Sequence, residues 1–311
     1  MSNNSITIAA ALGLAFAATS AQADTIRIPL NDWTGQNLTA QIAGKLLERI
    51  GHDVEYVTAG AVPQLAAIAQ GSLHFQPEFW DNNVGDIYYD ALDRGDIVLV
   101  GPLGIESSEG WIYPPYMEES CPGLPSYQAL YDCAQAFAAA DTFPNGRLIT
   151  YPADWGTRSR DLVAQIDLPF QPVAGGSEGA MIAELRSAVA SQQPILMMFW
   201  QPHWLFAEFD FNWVEFDEVD GTCDEGNQSR GNACGFNQAN VGKLVNRDFQ
   251  ATWPDAYVLV EALQMDNASQ NAMILQVDQD GMSVDEAAEG WLADNEAVWA
   301  PWVEAAMAAQ D

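Results

Sequence analysis

The feature that most constrains the fold is a regular alternation of strand-like and helix-like segments between residues 25 and 104. TIRIPL (25–30) is predicted as a strand, and apolar residues then recur every fourth position from Leu38 to Ile50, as in an amphipathic helix. Further strand and helix patterns follow in turn up to DIVLVGPLG (96–104). Such alternation is typical of a mostly parallel sheet with helices on its faces.

The alternation starts again after a proline-rich passage, GWIYPPYMEESCPGLPSY (110–127). RLITYPADW (147–155) and PILMMFW (194–200) are predicted as strands. SEGAMIAELRSAVASQQ (177–193) is predicted as a helix capped by Ser177. The pattern therefore indicates a second α/β unit inserted after the first.

We predict two lobes joined by two chain crossings, near residues 112–118 and 205–214. Lobe 1 is predicted to contain residues 24–112 and 206–311, and lobe 2 to contain residues 113–205. The tail from Asn240 to Asp311 is predicted to be largely helical. A cleft between two such lobes is a common place for a small ligand to bind.

The N-terminus has the pattern of a secretory signal. An apolar stretch from Ile6 to Ala18 is followed by Ala21-Gln22-Ala23, a small-x-small cleavage pattern. We predict that residues 1–23 are a signal peptide and that the mature protein is exported to the periplasm.

Export permits disulfide bonds, and the chain has four cysteines. Four cysteines allow three pairings. The simplest closes two short loops, with Cys121 bonded to Cys133 and Cys223 to Cys234.

The charge of the chain excludes one class of partner. Eleven Lys and Arg residues stand against 43 Asp and Glu residues, for a formal net charge of −32. Such a surface repels nucleic acid and anionic membranes. It is compatible both with a surface kept soluble in a salty medium and with attraction of a cationic ligand.

Four tryptophans occupy the ends of predicted strands or adjacent turns: Trp33, Trp80, Trp111 and Trp200. Ligands of open α/β sheets bind at the carboxyl ends of strands. The four come from both halves of the pattern, so closure of the lobes would bring them together. Indole faces attract a quaternary ammonium group, which has no hydrogen to donate to a carboxylate. The alternative is that these tryptophans are ordinary core residues.

Six segments carry a family resemblance: NDWTGQ, EFW, EGWIYPPYM, GSEGAMIAEL, FWQPHW and EAAEGWLADNEAVWAPWV. In order, they resemble the periplasmic substrate-binding proteins of ABC importers for glycine betaine, proline betaine and choline. In character the chain is most similar to the members that bind trimethylamine N-oxide. The resemblance covers essentially the whole mature chain.

This resemblance implies a type II periplasmic-binding-protein fold, an α/β fold of two hinged lobes with the ligand in an aromatic box between them. It assigns Trp33 and Trp80 to the box from the first lobe, Trp111 to the position after the first crossing, and Trp200 to the Trp ahead of the Pro-His pair. His203 and Trp204 are expected to pack at the hinge-side strand end. The implied partners are a small methylated amine and the transmembrane subunit of an ABC permease, and the protein is expected to be a monomer.

Two acids near these tryptophans narrow the choice of ligand. Betaine carboxylates need cationic or N–H partners, yet only Arg158 and Arg160 lie near a strand end of the second lobe. Glu109, just ahead of Trp111, instead suits a ligand with a hydroxyl or a protonatable oxygen, such as choline or trimethylamine N-oxide. Burial would raise the pKa of Glu109, so we expect its carboxyl group to share a proton with the oxygen of an N-oxide ligand. Asp32 is either a second such acid or the cap of the helix after Trp33.

A polar loop from residue 217 to residue 240 offers hard oxygen ligands of the kind that Ca²⁺ prefers. We predict a structural calcium ion there, held by Asp217, Asp220, Asp224 and Glu225, and no cofactor for activity. The spacing does not match an EF-hand. The resemblance to trimethylamine N-oxide binders implies an extended, calcium-binding loop.

Two other functions compete with this interpretation. A secreted hydrolase or lyase would need a catalytic arrangement, but the three histidines, His52, His74 and His203, form no recognisable triad or metal couple, and no nucleophile or zinc motif is present. A sugar-binding protein could stack sugars on the same tryptophans. We therefore predict a binding protein rather than an enzyme.

Overall fold

The computed structural model of the protein describes residues 25–82, 84–216, 235–236 and 239–310. The predicted signal peptide lies outside these residues. So do the second cysteine pair, Cys223 and Cys234, and the four acids of the predicted calcium site, Asp217, Asp220, Asp224 and Glu225. The signal peptide, the second disulfide and the calcium site therefore stay predictions.

The described residues form eleven strands: β1 (Ile26–Leu30), β2 (Val54–Thr58), β3 (Phe75–Trp80), β4 (Ile97–Glu106), β5 (Ser108–Tyr113), β6 (Pro122–Pro125), β7 (Gly146–Thr150), β8 (Phe170–Ala174), β9 (Met197–Gln201), β10 (Asn212–Trp213) and β11 (Asn240–Asn246).

The same residues form thirteen α-helices and one 3₁₀ helix, Ala134–Phe137. The α-helices are α1 (Thr34–Arg49), α2 (Ala61–Ala69), α3 (Asp86–Asp93), α4 (Met117–Ser120), α5 (Ala129–Cys133), α6 (Arg158–Gln165), α7 (Glu178–Ser191), α8 (Leu205–Glu208), α9 (Phe249–Thr252), α10 (Pro254–Ala262), α11 (Asn267–Asp278), α12 (Val284–Asp294) and α13 (Glu296–Ala308).

Ten of these eleven strands form three sheets in two lobes, and β6 belongs to none of the three. The first lobe contains the parallel pair β1-β2 and a sheet with the order β3-β11-β4, and the second contains a sheet with the order β10-β5-β9-β7-β8. The molecule is thus a two-lobed α/β protein. Sheet membership alone does not divide a chain into domains, so the lobe boundaries proposed from the sequence stay a prediction.

The sheets are mixed, whereas the sequence pattern favoured mostly parallel ones. β7 pairs parallel with β8 and β9, but β5 is antiparallel to β9, and β11 is antiparallel to both β3 and β4. The tail supplies β11, which enters between two strands made much earlier in the chain. The first seven residues of the predicted helical tail are therefore a strand, and the remainder of the tail is helical as predicted.

The local sequence signals explain the main elements. On α1 the apolar stripe predicted from the four-residue spacing is buried, and Leu38, Ile42 and Leu46 have no exposed side-chain surface. Burying each such side chain is worth about 1.5 to 3 kcal/mol. Ser177 caps α7 as predicted, because its side chain accepts a hydrogen bond from the backbone N–H of Ala180.

The predicted disulfide between Cys121 and Cys133 is present, and it closes a loop with a sequence separation of 12. It lies in the second lobe and ties α4 to α5. None of the helices in the described part of the chain has the length and apolar character needed to cross a membrane.

Candidate functional site

A cavity of about 50 Å³ lies between the two lobes. Its aromatic lining residues are Trp33, Phe79, Trp80, Tyr151, Trp155 and Trp200. Its polar lining residues are Asn31, Gln64, Gln76, Glu78, Asn82 and Glu109. One water-sized sphere occupies about 10 to 15 Å³, so the cavity has room for roughly four such groups. That volume suits a solute of a few non-hydrogen atoms rather than a sugar chain.

Aromatic rings from both lobes form the walls, and we call Trp33, Trp80, Tyr151, Trp155 and Trp200 the aromatic box. The ring centroids of Trp33 and Trp155 lie 4.8 Å apart with an interplanar angle of 62°. Trp155 and Trp200 lie 5.6 Å apart at 74°. These edge-to-face contacts hold the rings at steep angles to one another, an arrangement that can surround a rounded ligand.

The positions of the indoles follow from the ends of strands. Trp33 comes after β1 and directly before α1, and Trp80 is the last residue of β3. Trp155 lies in the turn between β7 and α6, and Trp200 is the second-last residue of β9. Because ligands of α/β sheets bind beyond the carboxyl ends of strands, these four side chains meet at the cleft.

Four of the five residues predicted to bind ligand line this cavity: Trp33, Trp80, Trp200 and Glu109. Glu109 and Trp200 are direct neighbours in the β5-β9 register. The structure thus brings together residues that are far apart in the sequence. Trp33 and Trp200, the most distant pair, are separated by 167 positions. Their role in binding is a matter for the proposal below.

Trp111 does not join them, contrary to the expectation from the sequence. It is fully buried, its indole N–H donates to the hydroxyl of Ser159 at 2.9 Å, and its ring packs edge-on against Phe216. Glu109 and Trp111 share a face of β5, but two residues advance a strand by about 7 Å. That step places Trp111 in the core below the cavity rather than in its lining.

Tyr151, Trp155 and Glu78 are among the lining residues that sequence reasoning missed. Trp155 has the same setting as the other indoles, since it follows a strand end in RLITYPADW, but the whole segment resembled a strand. In the structure β7 ends at Thr150, so both Tyr151 and Trp155 are free to line the cavity. Glu78 carried a weaker signal, namely an acid inside a buried strand next to Trp80.

Glu109 is a buried acid, with 8% of its surface exposed. Burial raises its pKa to about 7, although hydrogen bonds from Tyr151 and Asn82 and the positive charge of Arg158 favour the ionised form. Near neutral pH this carboxyl group can therefore either donate or accept a hydrogen bond. Arg158 itself also donates to the carbonyl of Gly235 at 2.9 Å, and neither it nor Arg160 lines the cavity.

Asp32 holds a box indole and does not cap the helix that follows it. The indole N–H of Trp155 donates to its carboxylate across the two lobes. Trp33 occupies the N-cap position of α1, where no side chain caps the helix. Of the two roles considered for Asp32, capping is therefore wrong.

The floor of the cavity in the first lobe is a chain of amides. The side-chain amide N–H of Gln76 donates to the side-chain carbonyl of Gln64. The amide N–H of Gln64 in turn donates to the side-chain oxygen of Asn31. Gln36 donates to Gln76 at 2.8 Å and accepts from the backbone N–H of Asn31 at 2.8 Å. Because these amides largely satisfy one another, this wall offers a solute ring faces more than hydrogen bonds.

A second polar group joins the lobes beside the box, and we call Thr34, Glu178, His203, Trp204 and Asp278 the closing network. The backbone N–H of Thr34 donates to Glu178 at 2.7 Å, and its hydroxyl lies 2.9 Å from Glu178 and from Asp278. The indole of Trp204 donates to Asp278 at 2.8 Å. His203 and Trp204, predicted to pack at the hinge side, are both buried here.

Among the residues that the structure describes, one trio of side chains has the composition of a metal site: Glu178, His203 and Asp278, whose ligand atoms lie within 4.8 Å of one another. The backbone N–H of Leu205 donates to Nδ1 of His203 at 3.2 Å, which assigns the proton to Nε2. Nε2 faces Glu178 at 3.5 Å. A protonated nitrogen is not a metal ligand, so His203 does not complete a metal site here; its Nε2 and Oε1 of Glu178 are buried without a hydrogen-bond partner among the described residues.

Comparison with known proteins identifies the family of the chain. The family model for OpuAC, the substrate binding domain of ABC-type glycine betaine transport systems, matches residues 24–294. The trimethylamine N-oxide-binding protein of Pelagibacter ubique (strain HTCC1062) is 30% identical over 305 residues, which cover 93% of this chain and 95% of that protein.

Solved structures agree on the fold. Lactococcal OpuAC in a closed form with glycine betaine has a TM-score of 0.71 and 18% identity, covering 90% of this chain and 99% of that one. A choline-binding protein of an ABC transporter, in complex with choline, has a TM-score of 0.74 and 18% identity, covering 92% and 96%. The extent of the family match and the identity to the Pelagibacter protein decide the assignment. The chain belongs to the OpuAC family of substrate-binding proteins of ABC transporters, a family of binding proteins and not of enzymes.

Proposed function

We propose that this protein binds trimethylamine N-oxide and delivers it to an ABC importer. The observation that carries the proposal is the box itself: four indoles from two lobes around a small cavity, together with the buried carboxyl group of Glu109, whose pKa burial raises to about 7. The 30% identity to a trimethylamine N-oxide-binding protein supports the same ligand.

The indoles account for recognition of the methylated nitrogen. A trimethylated nitrogen has no N–H, so it is held by the negative faces of aromatic rings and by burial of its methyl groups. Each such contact is worth about 0.5 to 1 kcal/mol when exposed and about 2 kcal/mol when desolvated. Trp155 and Trp200 are almost fully buried, at 5% and 6% exposure, so their contacts belong to the stronger class.

The polar lining favours an N-oxide over a betaine. The described lining residues include no Lys or Arg, so a betaine carboxylate would meet Glu109 without a cationic side chain in the cavity wall to bind it. An N-oxide oxygen is instead a strong acceptor, and protonated Glu109 can donate to it. Choline is the alternative, since its hydroxyl could donate to ionised Glu109. Glycine betaine and proline betaine are weaker alternatives in the same box, and a sugar is disfavoured by the small cavity.

The test is isothermal titration of the purified protein with trimethylamine N-oxide, choline, glycine betaine, proline betaine and maltose. We expect trimethylamine N-oxide to bind most tightly and maltose not at all. Repeating the titrations between pH 6 and pH 9 separates the two leading ligands. N-oxide binding should weaken as Glu109 ionises above its pKa of about 7, whereas choline binding should strengthen.

Two results would overturn this proposal. Binding of maltose without any methylated amine would replace it with a sugar-binding function. Tight binding of glycine betaine, unaffected by Glu109→Gln, would move the ligand to the betaines. A monomer exported to the periplasm and docking on the transmembrane subunit of a permease is the setting that this function requires.

A further inference from the structure

Three of the box indoles direct their N–H groups at carboxylates. Trp80 donates to Glu78 at 3.1 Å, the indole of Trp33 interacts with the same carboxylate, and Trp155 donates to Asp32. An N–H that donates to a negative charge leaves the ring more electron-rich, and hydrogen-bonded groups polarise one another in this way. The ring faces that meet a solute are thereby made more attractive to a cation.

Burial raises the pKa of Glu78, whereas hydrogen bonds from Thr39, Trp80, Trp33 and Gln270 oppose that shift and favour its charged form. Glu78 is 2% exposed, and its second oxygen accepts from the hydroxyl of Thr39 at 2.7 Å and from the amide of Gln270 at 2.6 Å. Every one of these partners is a donor. Donors on both oxygens match an ionised carboxylate and leave little capacity for a bond to the solute.

The charge of Glu78 has no cationic side chain beside it. Among the described residues neither Glu78 nor Asp32 forms a salt bridge, although other acids do. A buried charge without a counter-ion is costly. Since Glu78 also lines the cavity, a positively charged nitrogen held by the indoles would lie next to it.

We propose that Glu78 and Asp32 are positioning and specificity-determining residues, which hold the box indoles by their N–H groups and select a positively charged nitrogen over a neutral group of the same shape. The inference rests on the proposed function. Glu78 has the larger effect because it is buried, whereas Asp32 is exposed and its charge is screened by solvent. Asp32 acts only on the closed form, since its indole comes from the other lobe.

The test compares ligands of matched shape that do or do not contain a positively charged nitrogen. Trimethylamine N-oxide is paired with tert-butanol, and choline with the carbon analogue in which a tert-butyl group replaces its trimethylammonium group. Affinities for wild type, Glu78→Gln and Asp32→Asn are measured by calorimetry or, for weak ligands, by ligand-observed NMR. Glu304→Gln, on the exposed side of α13, is the control for loss of one negative charge from the whole protein.

We expect Glu78→Gln to weaken binding of the charged ligands at least tenfold and of the neutral analogues less than threefold. Asp32→Asn should show the same preference with a loss of about threefold, and Glu304→Gln should change neither. Equal losses for both members of a pair would mean a merely structural role and would overturn the inference. So would wild-type affinities in both variants.

The result also distinguishes this inference from the proposed function. If wild type bound neither trimethylamine N-oxide nor choline, the function itself would be wrong. If wild type bound them and the variants bound them equally well, only the role of the two acids would be wrong. Should Glu78→Gln not fold, as judged by circular dichroism, the charge preference of Asp32→Asn decides the outcome.

Discussion

The aromatic box and the cluster around Trp111 lie next to each other and use the same type of residue differently. In the box, indoles from two lobes meet, and Trp80 and Trp155 donate their N–H groups to carboxylates. Trp111 is packed within one lobe, against Phe216 and Phe236, and donates to the neutral hydroxyl of Ser159. The first group leaves ring faces toward a cavity, and the second leaves none.

The comparison shows what separates a binding tryptophan from a structural one in this protein. Both groups lie near strand ends and are rich in aromatic neighbours, so these features do not distinguish them. What distinguishes them is that the box combines rings from both lobes, and that its indole N–H groups donate to carboxylates rather than to a neutral hydroxyl. We expect a ring that lines the cavity to contribute to ligand binding, and a ring that is packed on all sides, such as Trp111, to contribute to stability.

The strongest test of the difference between the two groups is to truncate one indole from each. Trp111→Ala should lower the free energy of unfolding by about 3 to 5 kcal/mol, because it leaves a large cavity in a packed core. Trp155→Ala should instead lower the affinity for trimethylamine N-oxide at least tenfold, about 1.4 kcal/mol. Denaturant unfolding and calorimetry measure the two effects separately.

The folded fraction of Trp111→Ala should keep an affinity within threefold of wild type. If Trp111→Ala abolished binding in protein that is still folded, while Trp155→Ala bound normally, the two groups would have exchanged roles and the comparison would be wrong.

Glu109 provides the second test, because it lies two residues from Trp111 but faces the cavity. Burial raises its pKa from 4.5 to about 7. The folded protein therefore keeps a proton that the unfolded chain releases, and the free energy of unfolding should fall as pH rises from about 4.5 to 7. The full shift corresponds to roughly 3 kcal/mol.

Denaturant titrations of wild type and Glu109→Gln at pH 5, 6, 7 and 8 measure this contribution. The variant should lose the part of the slope that belongs to Glu109, while other buried acids contribute equally to both proteins. Parallel stability curves for the two proteins would show that Glu109 does not titrate in this range.

The smallest expected effect concerns closure, on which the box depends and the Trp111 cluster does not. Thr34→Val removes a hydroxyl that lies 2.9 Å from both Glu178 and Asp278, on the contact between lobes. Loss of one such bond is worth about 0.5 to 1.5 kcal/mol, so we expect a three- to tenfold loss of affinity.

Calorimetry of Thr34→Val and of Thr252→Val, an exposed control on α9, tests this expectation. The stability of the unliganded variant should stay close to that of wild type. A loss of affinity in the control of the same size would remove the closing network from the explanation.

Local patterns were enough to predict much of the fold. The apolar spacing of α1, the cap at Ser177 and the alternation of strands and helices are all decided by neighbours within a few residues. The insertion of β11 between β3 and β4 is not, because it joins segments more than 130 residues apart. No periodicity within one segment records which partner it will meet.

The same limit explains the site. Trp33, Trp80 and Trp200 were predicted because each lies at a strand end or in an adjacent turn, and Glu109 because it is an acid just ahead of Trp111. Trp111 shared those signals, yet one further step along β5 places it in the core. The pairing of Trp155 with Asp32 depends on how two lobes approach each other, which no short stretch of sequence contains.

The placement of Glu109 near the connection between lobes has a mechanical consequence. Only Ser107 separates the end of β4, in the three-stranded sheet, from the start of β5, in the five-stranded sheet, and Glu109 is the second residue of β5. A contact at Glu109 would therefore act close to the connection about which the lobes move. A small difference in the length of a solute is therefore magnified into a larger displacement at the outer rims of the lobes, and a transporter that senses the spacing of those rims would in effect be measuring the solute.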